Sequence, residues 1–377
     1  MKIILISPFS LEANNIAGGV AAVTQYLAVA LVNLGYLVTV IAPGKNFGQQ
    51  EQRGQVNIVW SGKPKFPGFI TYANHQRKQI FKLLINLKPD VVHFQGVFGW
   101  SIHCPYPYVV TIHGIAEKDA AFSRNVVKSV VATRVIRFME NKGRKLAKHV
   151  ISISPYATQI LEKELTGQIH HIDNPIDETL FNTAINNFQR QDKLMCVGVI
   201  GERKNTLGVI LSFSKIKSYY PSVELVICGQ STSDVYLTQC QQLVKDLGLS
   251  KDITFTGNLS RTELYSQMAN AKGLLMMSRQ ETAPMSIAEA MALGVPCIAP
   301  HEFGIPYMID DGVNGFFVSD DSTDEKWQEI STSLSSDAWF ALSDNALNSA
   351  KRYHPVQVAK ATLSVYESVI KGIEQSR

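Results

Sequence analysis

The sequence predicts an α/β protein with two doubly wound, Rossmann-like domains that face a central cleft. Short β-branched runs alternate with longer helical patterns in both halves of the chain. The 377 residues exceed one ordinary core and fit two domains of roughly 180 residues each. A polar, turn-rich segment at 173–193 separates the halves. We therefore predict a first domain over 1–178, a second over 190–355, and a C-terminal helix over 356–377 that packs back on the first.

The first half contains apolar runs that predict strands, with helical segments between them. Strands separated by helices are typical of βαβ units, whose parallel sheet is covered on both faces. The first strand, residues 2–9, leads to Gly18, Gly19 and a long apolar helix. Further strands are predicted at 37–43, 57–60, 90–96, 108–114 and 149–154, with a basic helix ending before Pro89.

The second half repeats the same alternation. Each predicted strand is followed by a helix or a turn, so a second parallel sheet is expected. Ligands bind at the carboxyl ends of the strands in such sheets, which makes the cleft between the domains the predicted active site. The predicted strands are 193–201, 224–230, 253–258, 273–278 and 296–300.

Composition restricts the class of protein. Hydrophobic residues make up 45% and charged residues 18%, as in ordinary soluble globular proteins. The net charge of +4 favours anionic small molecules or a membrane surface as partners over nucleic acid. Five scattered cysteines without metal-ligand spacing indicate free thiols in a reducing compartment. No apolar run approaches the roughly 20 residues that span a bilayer, so we expect a cytoplasmic protein. Separately, we expect no cofactor.

One helix of the second half contains an isolated carboxylate. We predict this helix from Pro284, which has no N–H to lose at the first helical position, to about Leu293 before Gly294. Its residues are apolar on every side, so burial is expected. Glu289 therefore needs hydrogen-bond donors, because an unpaired buried carboxylate is costly. Those donors come either from a ligand or from a structural partner.

A second carboxylate, Glu281, lies in the loop before this helix. Taken alone, it is most simply interpreted as an exposed loop residue. The helix dipole and the backbone N–H groups expected at 284–286 favour phosphate at this helix end. With an acid on each side, the segment has the chemistry to bind a sugar, a diphosphate and a ribose.

The two glutamates, with seven residues between them, are followed by AMALGVPCIA. This pattern resembles the signature of the retaining GT-B glycosyltransferases, family 4 in particular. The likeness extends over nearly the whole chain, and it implies a GT-B fold with an acceptor-side first domain and a donor-binding second domain. The matching segments are GGV (18–20), VTIHG (110–114), ISISPYA (151–157), IDNPID (172–177), GERKN (201–205) and DDGVNGFFV (310–318).

The resemblance implies roles for individual residues. Glu281 would contact the donor sugar and Glu289 the ribose of the nucleotide. His113, at a strand end, would contact hydroxyls of the donor sugar, with a structural histidine as the alternative; His93 has a similar setting. Gly18 and Gly19 would approach the diphosphate or the acceptor, unless they only form a tight turn. The other residues implied to bind the donor are Gly229, Gly257, Asn258, Leu259, Ala283, Pro284, Met285 and Ser286.

The segment VGVIGERKNTLG follows a predicted strand and opens a helix. Arg203 and Lys204 would stabilise a diphosphate as charge develops on the leaving group, unless they form a solvated basic pair. The family commonly has an arginine directly after the first glycine, where this chain has Val199. The electrostatic role is therefore assigned to Arg203 and Lys204 together. The sequence has neither a classical glycine-rich phosphate-binding loop ending in Lys-Ser/Thr nor the paired aspartates that hold a divalent cation for donor binding in the other main glycosyltransferase fold, so no metal is expected.

The implied activity is that of a retaining, metal-independent hexosyltransferase acting on a UDP- or GDP-linked sugar in bacterial polysaccharide or glycolipid assembly. A nucleotide-sugar epimerase of the same fold would convert the donor without an acceptor, and a non-catalytic nucleotide-sugar-binding protein would not hydrolyse it. The acceptor is expected to be a saccharide or lipid-linked. Basic residues interleaved with aromatics at 63–88, and the basic stretch 134–149, suit peripheral contact with an anionic membrane; a solvated surface is the alternative.

Overall fold

In the computed structural model, the described residues are 1–8, 18–63, 69–115, 126–182 and 190–374. The chain forms two compact units, 1–176 with 353–377, and 177–352. The chain first passes from one unit to the other between residues 176 and 177, inside the polar segment at 173–193. Residues 183–189 of that segment lie outside the described residues. The C-terminal residues thus return to the first unit.

The first unit contains an eight-stranded sheet. Its strands are β1 (Lys2–Ile6), β2 (Leu37–Ala42), β3 (Gln50–Arg53), β4 (Val56–Trp60), β5 (Val91–Gln95), β6 (Tyr108–Ile112), β7 (His149–Ser152) and β8 (Gln168–His171). They lie in the order β3-β4-β2-β1-β5-β6-β7-β8. All pairs are parallel except β3 with β4, which are antiparallel. This edge strand was not predicted, because the polar run QEQR has no alternation of apolar residues.

Helices pack on this sheet and bury its apolar strands. They are α1 (Gly19–Asn33), α2 (Phe69–Leu87), α3 (Phe98–Ser101), α4 (Val126–Leu146), α5 (Pro155–Leu161) and, numbered in chain order, α12 (Pro355–Glu374). Ile3 and Leu5 of β1 share one core with Leu31 of α1 and with Leu363 and Tyr366 of α12. The C-terminal helix is therefore part of the core of the first unit.

The second unit contains a six-stranded sheet that is parallel throughout. Its strands are β9 (Lys193–Val197), β10 (Glu224–Cys228), β11 (Ile253–Gly257), β12 (Gly273–Leu275), β13 (Cys297–Pro300) and β14 (Gly315–Val318), in the order β11-β10-β9-β12-β13-β14. Its helices are α6 (Thr206–Tyr219), α7 (Asp234–Asp246), α8 (Arg261–Ala269), α9 (Met285–Ala292), α10 (Asp324–Ser335) and α11 (Ala338–Ala350). The predicted class of two α/β units with doubly wound sheets is confirmed.

The predicted strand over 273–278 is too long. β12 ends at Leu275, and residues 276–278 leave the sheet, although the N–H of Met276 still donates to the carbonyl of Ile298 at 2.9 Å. Two further apolar residues, Met276 and Met277, continue the run, and apolar composition alone does not mark where a buried strand ends.

The helix α9 ends just before Gly294, as predicted. This glycine has φ +67°, a left-handed conformation that suits glycine at a helix end. Its N–H donates to the carbonyl of Met291 at 2.9 Å, and the N–H of Val295 donates to that of Ala290 at 2.9 Å. These two bonds form a Schellman motif, which satisfies carbonyls that the last turn leaves open.

Candidate functional site

The order of strands in the second sheet creates a switch point between β9 and β12. β10 and β11 lie on one side of β9, and β12 to β14 lie on the other. Connections that leave in opposite directions open a crevice at the carboxyl ends of the two middle strands. The loop after β9 contains Arg203 and Lys204, and the loop after β12 contains Glu281. The topology therefore brings together residues that are 77 and 78 positions apart in sequence.

Glu281 lies between these two basic side chains. Its Oε1 is 2.6 Å from Lys204 Nζ and 3.3 Å from Arg203 Nη1. The carboxylate is 8% exposed, so the interpretation of Glu281 as an exposed loop residue is wrong. A buried carboxylate needs charge-assisted partners, and the basic pair supplies them.

Two hydrogen bonds to backbone carbonyls hold the two loops together. The N–H of Arg279 donates to the carbonyl of Arg203 at 2.8 Å, and Arg203 Nη1 donates to the carbonyl of Gln280 at 2.9 Å. Gly198 leaves space for the lysine, since a Cβ at that position would lie 3.0 Å from Lys204 Cε. Lys204 is thus placed by its loop, while Arg203 retains a side chain that is 36% exposed.

The helix α9 begins one residue later than predicted. Pro284 is its N-cap rather than its first helical residue, and no side chain caps this helix end. Proline has no N–H, so the donors expected at 284–286 are reduced to those of Met285 and Ser286. The N–H of Ile287 is occupied by the carbonyl of Pro284 at 3.1 Å. Ala283 is half-buried beside this helix end.

Burial of α9 is not uniform, in contrast to the prediction. Met285, Ser286 and Glu289 are half-buried, whereas Ile287, Ala288 and the residues from Ala290 to Ala292 are buried. The three half-buried residues are spaced i, i+1 and i+4, so they form one face. Glu289 therefore lies on the partly open face of the helix.

Glu289 also has a structural partner. The hydroxyl of Tyr265 on α8 donates to Glu289 Oε1 at 3.2 Å. Burial raises the pKa of Glu289 to about 7, while Arg261 and the tyrosine hydrogen bond act to lower it and Asp177 acts to raise it. Nη1 of Arg261 lies 3.7 Å from Oδ2 of Asp177. Both expected sources of hydrogen-bond donors, a structural partner and a ligand, are compatible with the structure. Glu289 has the structural partner Tyr265, and it lies on a half-buried face of the helix.

Glycines form the carboxyl edge beside these loops. The N–H of Gly198 donates to the carbonyl of Cys228 at 3.0 Å, and the N–H of Gly229 donates to that of Gly257 at 2.9 Å. A Cβ on Gly229, where φ is +149°, would lie 1.9 Å from the carbonyl oxygen of Gly198. Next along the edge are Asn258, whose side-chain amide lies 3.5 Å from Gln230 Oε1, and the half-buried Leu259.

In the first unit, His113 follows β6 and is half-buried. Its Nε2 lies 2.6 Å from Gln95 Oε1. Burial lowers the pKa of His113 to about 4, with a smaller opposing effect from a hydrogen bond to Asn174. His93 is buried, and its ring nitrogens lie 2.6 Å from the hydroxyls of Tyr366 and Thr111. His93 is therefore a satisfied structural histidine, whereas His113 lies at the carboxyl end of β6.

Gly18 and Gly19 lie at the start of α1, after β1. Gly18 is exposed, with φ +90° and open space where a Cβ would lie. Its carbonyl accepts the N–H of Ala22 at 3.2 Å, so it is the N-cap of the helix. Residues 9–17, which precede it, lie outside the described residues.

The basic stretches are only partly surface. Arg144 is 1% exposed, and its Nη1 lies 2.5 Å from Glu164 Oε2, so its inclusion in a basic surface is wrong. Phe66 lies outside the described residues, as do the side chains of Phe69, Ile70 and Tyr72. In the described part of the chain, no helix is both long enough and apolar enough to cross a membrane.

Four residues around these sites were not singled out from the sequence. Gln95 lies two residues after His93, so the period of two along a strand places both side chains on one side of the sheet. Arg261 and Tyr265 are spaced i, i+4 on α8, whose capping box of Ser260 and Glu263 is visible as S-x-x-E. Only Tyr366 has no local signal. Across the described ranges, no group of three or more His, Cys, Asp or Glu residues is placed to hold a metal ion.

Two family descriptions match this chain. Residues 17–180 match Glycosyltransferase Family 4, and residues 178–352 match Glycosyl transferases group 1. An uncharacterized glycosyltransferase of Methanocaldococcus jannaschii is 25% identical over 390 residues, covering 93% of this chain and 95% of that protein. A phosphatidyl-myo-inositol mannosyltransferase of Mycobacterium tuberculosis is 24% identical over 391 residues, covering 98% and 97%.

Solved structures share the fold. Sucrose-phosphate synthase of Thermosynechococcus elongatus superposes with a TM-score of 0.79 at 17% identity, over 99% of this chain and 100% of that one. HepE of Anabaena in complex with UDP-glucose gives a TM-score of 0.69 at 17% identity, over 98% and 100%. The solved structures show the GT-B fold, and the two matched segments, which extend from residue 17 to residue 352, show that the chain belongs to the family 4, group 1 glycosyltransferases.

Proposed function

We propose that this glycosyltransferase moves a sugar from a nucleoside-diphosphate sugar to an acceptor hydroxyl with retention of anomeric configuration. The observation that supports the proposal most directly is the Arg203, Lys204 and Glu281 cluster at the switch point of the second sheet. Two cations beside an uncapped helix N-terminus suit a diphosphate. A carboxylate held in the same cluster suits the hydroxyls of the attached sugar.

The leaving group is the nucleoside diphosphate. In the proposed step, the bond from the anomeric carbon to the phosphate oxygen breaks as the acceptor oxygen bonds to that carbon on the same face. The acceptor proton moves to the departing phosphate oxygen. Arg203, Lys204 and the N–H groups of Met285 and Ser286 stabilise the charge that grows on the diphosphate. Glu281 orients the sugar, and no carboxylate nucleophile is invoked.

The remaining residues bind the donor. His113 accepts or donates a hydrogen bond to a sugar hydroxyl, and Glu289 binds the ribose hydroxyls. The backbone at Gly229, Gly257, Asn258 and Leu259 borders the nucleobase, and Gly18 with Gly19 approaches the diphosphate or the acceptor. We propose a UDP- or GDP-linked donor and no resident metal. The UDP-glucose complex of HepE supports the first of these.

The acceptor is proposed to be a saccharide or a lipid-linked hydroxyl compound, in polysaccharide or glycolipid assembly. The name of the mycobacterial relative, a phosphatidyl-myo-inositol mannosyltransferase, supports this class. An exposed face of α4 also supports it: Arg134, Arg137, Lys142 and Lys145 are exposed there, and Phe138 is 67% exposed. A basic face with an exposed aromatic residue suits peripheral contact with an anionic membrane.

The reaction is tested by incubating the protein with UDP- and GDP-sugars and candidate acceptors, and by assigning the anomeric configuration of the product by NMR. A product with the configuration of the donor is expected. An inverted product contradicts the proposal. Conversion of the donor without an acceptor would indicate an epimerase, and donor binding without transfer or hydrolysis would indicate a non-catalytic binding protein.

A further inference from the structure

A chain of hydrogen-bonded side chains runs through the first unit from the C-terminal helix to His113. The hydroxyl oxygen of Tyr366, on α12, lies 2.6 Å from Nδ1 of His93. The amide nitrogen of Gln95 lies 3.2 and 3.3 Å from the two ring nitrogens of His93. The amide oxygen of the same Gln95 lies 2.6 Å from His113 Nε2. The side-chain amide of Gln95 thus connects the buried His93 to His113 at the carboxyl end of β6.

The inner end of the network is buried. Tyr366, His93 and Gln95 are each at most 1% exposed. Thr111 completes the shell of His93 at 2.6 Å from Nε2. The cavity beside these residues has a volume of about 10 Å³, which is room for about one water molecule. Hydrogen bonds in such a setting fix side-chain orientation strongly, because water does not compete for the partners.

The partners determine which nitrogen of His113 has the proton. An amide oxygen is only an acceptor, so His113 Nε2 must be the N–H donor in this bond. A neutral imidazole has one N–H, which leaves Nδ1 as an acceptor. Nδ1 is itself buried and has no hydrogen-bond partner of good geometry among the described residues, although Asn174 interacts with the ring.

The ionisable groups around His113 favour the neutral ring. Burial lowers the pKa of His93 to about 3 and that of His113 to about 4, and the charge of a protonated His113 further disfavours protonation of His93. Burial raises the pKa of Tyr366 well above its usual range, so its hydroxyl stays protonated. Asp173 is the acidic group that lines the same cavity. Both rings are therefore neutral at pH 7.

We propose that Gln95, His93 and Tyr366 are positioning residues that hold His113 as the neutral Nε2–H tautomer, with Nδ1 as its acceptor, in the site that is proposed to bind the donor sugar. The last clause rests on the function proposed above, whereas the tautomer does not. The C-terminal helix then contributes to the site through Tyr366, at a separation of 273 residues from His93.

The test combines NMR of the histidine ring with kinetics on the full chain. Long-range ¹H–¹⁵N spectra report the tautomer of each histidine without any substrate. In the wild type, His113 should be the neutral Nε2–H tautomer across neutral pH. Gln95→Leu removes the acceptor and should convert His113 to a mixture of tautomers. It should lower kcat by about tenfold, with KM for the donor changed less, as expected for loss of one neutral hydrogen bond that orients a reacting group.

Two further variants keep the test decisive if Gln95→Leu does not fold. Tyr366→Phe removes only the hydroxyl and should lower kcat by about threefold to tenfold. Gln95→Glu keeps the acceptor but adds a charge beside Nε2, so it should raise the pKa of His113 and make kcat rise with pH through that value. Tyr220→Phe is the matched control, because this buried hydroxyl of the second unit lies outside the network.

The outcomes separate the two proposals. An unchanged His113 tautomer in Gln95→Leu and in Tyr366→Phe, with only a lower melting temperature, would overturn the positioning role. The expected tautomer changes in a protein that transfers no sugar would support the network and contradict the proposed function.

Discussion

At the scale of single residues, the pair Lys204 and Glu281 has two consequences for the site. The lysine neutralises a carboxylate that is 8% exposed, and it lies 2.6 Å from that carboxylate at the switch point. Substitution of Lys204 therefore removes a charge from the proposed leaving-group site and leaves Glu281 with Arg203 alone.

We predict that Lys204→Ala lowers kcat more than it raises KM, because charge on the diphosphate grows in the transition state. A loss of about 1.5–3 kcal/mol corresponds to roughly tenfold or more in rate. Steady-state kinetics measures both parameters. Lys217→Ala, which breaks an ion pair with Asp252 elsewhere in the unit, is the control. An unchanged kcat in Lys204→Ala would show that Arg203 and the helix N-terminus suffice.

The two glutamates are predicted to differ in what their loss affects. Glu289→Ala should weaken nucleotide binding by about 1.5–3 kcal/mol, the size of one hydrogen-bonded charged contact. Glu281→Ala should leave nucleotide affinity nearly unchanged and depress turnover by a similar free energy. Calorimetric titration with UDP and GDP, together with kcat, measures both. Equal losses of nucleotide affinity in the two variants contradict the assigned roles.

Affinity for the donor should depend on pH through Glu289. Burial raises its pKa to about 7, so the carboxylate that accepts ribose hydrogen bonds forms only as pH rises through that value. Donor affinity should increase across this range in the wild type and stay flat in Glu289→Gln. A nucleotide-sugar is the proper probe, because a free nucleoside diphosphate has a terminal phosphate that titrates near pH about 6. A flat wild-type profile would exclude this role for the carboxyl.

The same shift has a consequence for stability. The folded protein retains a proton on Glu289 that the unfolded chain releases above its ordinary pKa of 4.5. The contribution of Glu289 to the free energy of unfolding should therefore fall as pH rises from about 4.5 to about 7. His93 and His113 act in the opposite direction over an overlapping range, since their lowered pKa values of about 3 and about 4 make stability fall as pH drops below 6.5.

At the scale of elements, the glycines at the strand ends decide how closely the loops approach. Gly229→Ala would place a Cβ 1.9 Å from the carbonyl oxygen of Gly198 at φ +149°. We predict destabilisation by about 2–3 kcal/mol or more, through steric strain and unfavourable dihedrals. Gly248→Ala is the control, because its φ of +69° is also positive but a Cβ would lie in open space. Thermal unfolding compares the two, and equal losses contradict the steric argument.

The helix α9 shows how far local sequence predicts an element. Its C-terminal end follows from Gly294, because a left-handed residue is needed there. Its N-terminal end and the burial of each face depend on α8 and α11, so they were predicted less well. Glu289 lies on the half-buried face because Tyr265 of α8 approaches it.

At the scale of the whole molecule, positive charge on α4 predicts a salt-dependent membrane contact. Arg137→Gln with Lys145→Gln should weaken sedimentation with anionic liposomes by about 2 kcal/mol at low salt, at about 1 kcal/mol for each basic residue near the surface. Added salt should reduce binding of the wild type. The control is Lys245→Gln with Lys251→Gln, two exposed residues of the second unit. Absence of binding at low ionic strength would leave α4 as ordinary surface.

A chelator should leave the transfer rate unchanged, because the proposed leaving-group site uses two cationic side chains and a helix N-terminus instead of a divalent ion. Rates before and after treatment with EDTA measure this. Loss of activity that Mg²⁺ or Mn²⁺ restores would contradict metal independence.

The sequence by itself determined the two α/β units, most strand positions, the end of α9 and the candidate residues Arg203, Lys204, Glu281 and Glu289. These features depend on local periodicity, on glycine and proline, and on motif spacing, which a linear chain displays directly. Only the tertiary structure decided that Glu281 pairs with Arg203 and Lys204, that Arg144 is buried against Glu164, and that Tyr366 reaches His93. Each of these contacts joins distant positions through the order of strands in a sheet or the return of the C-terminal helix. Which partner neutralises a buried charge depends on that packing, because nothing in the local sequence specifies the side chain that arrives from another element.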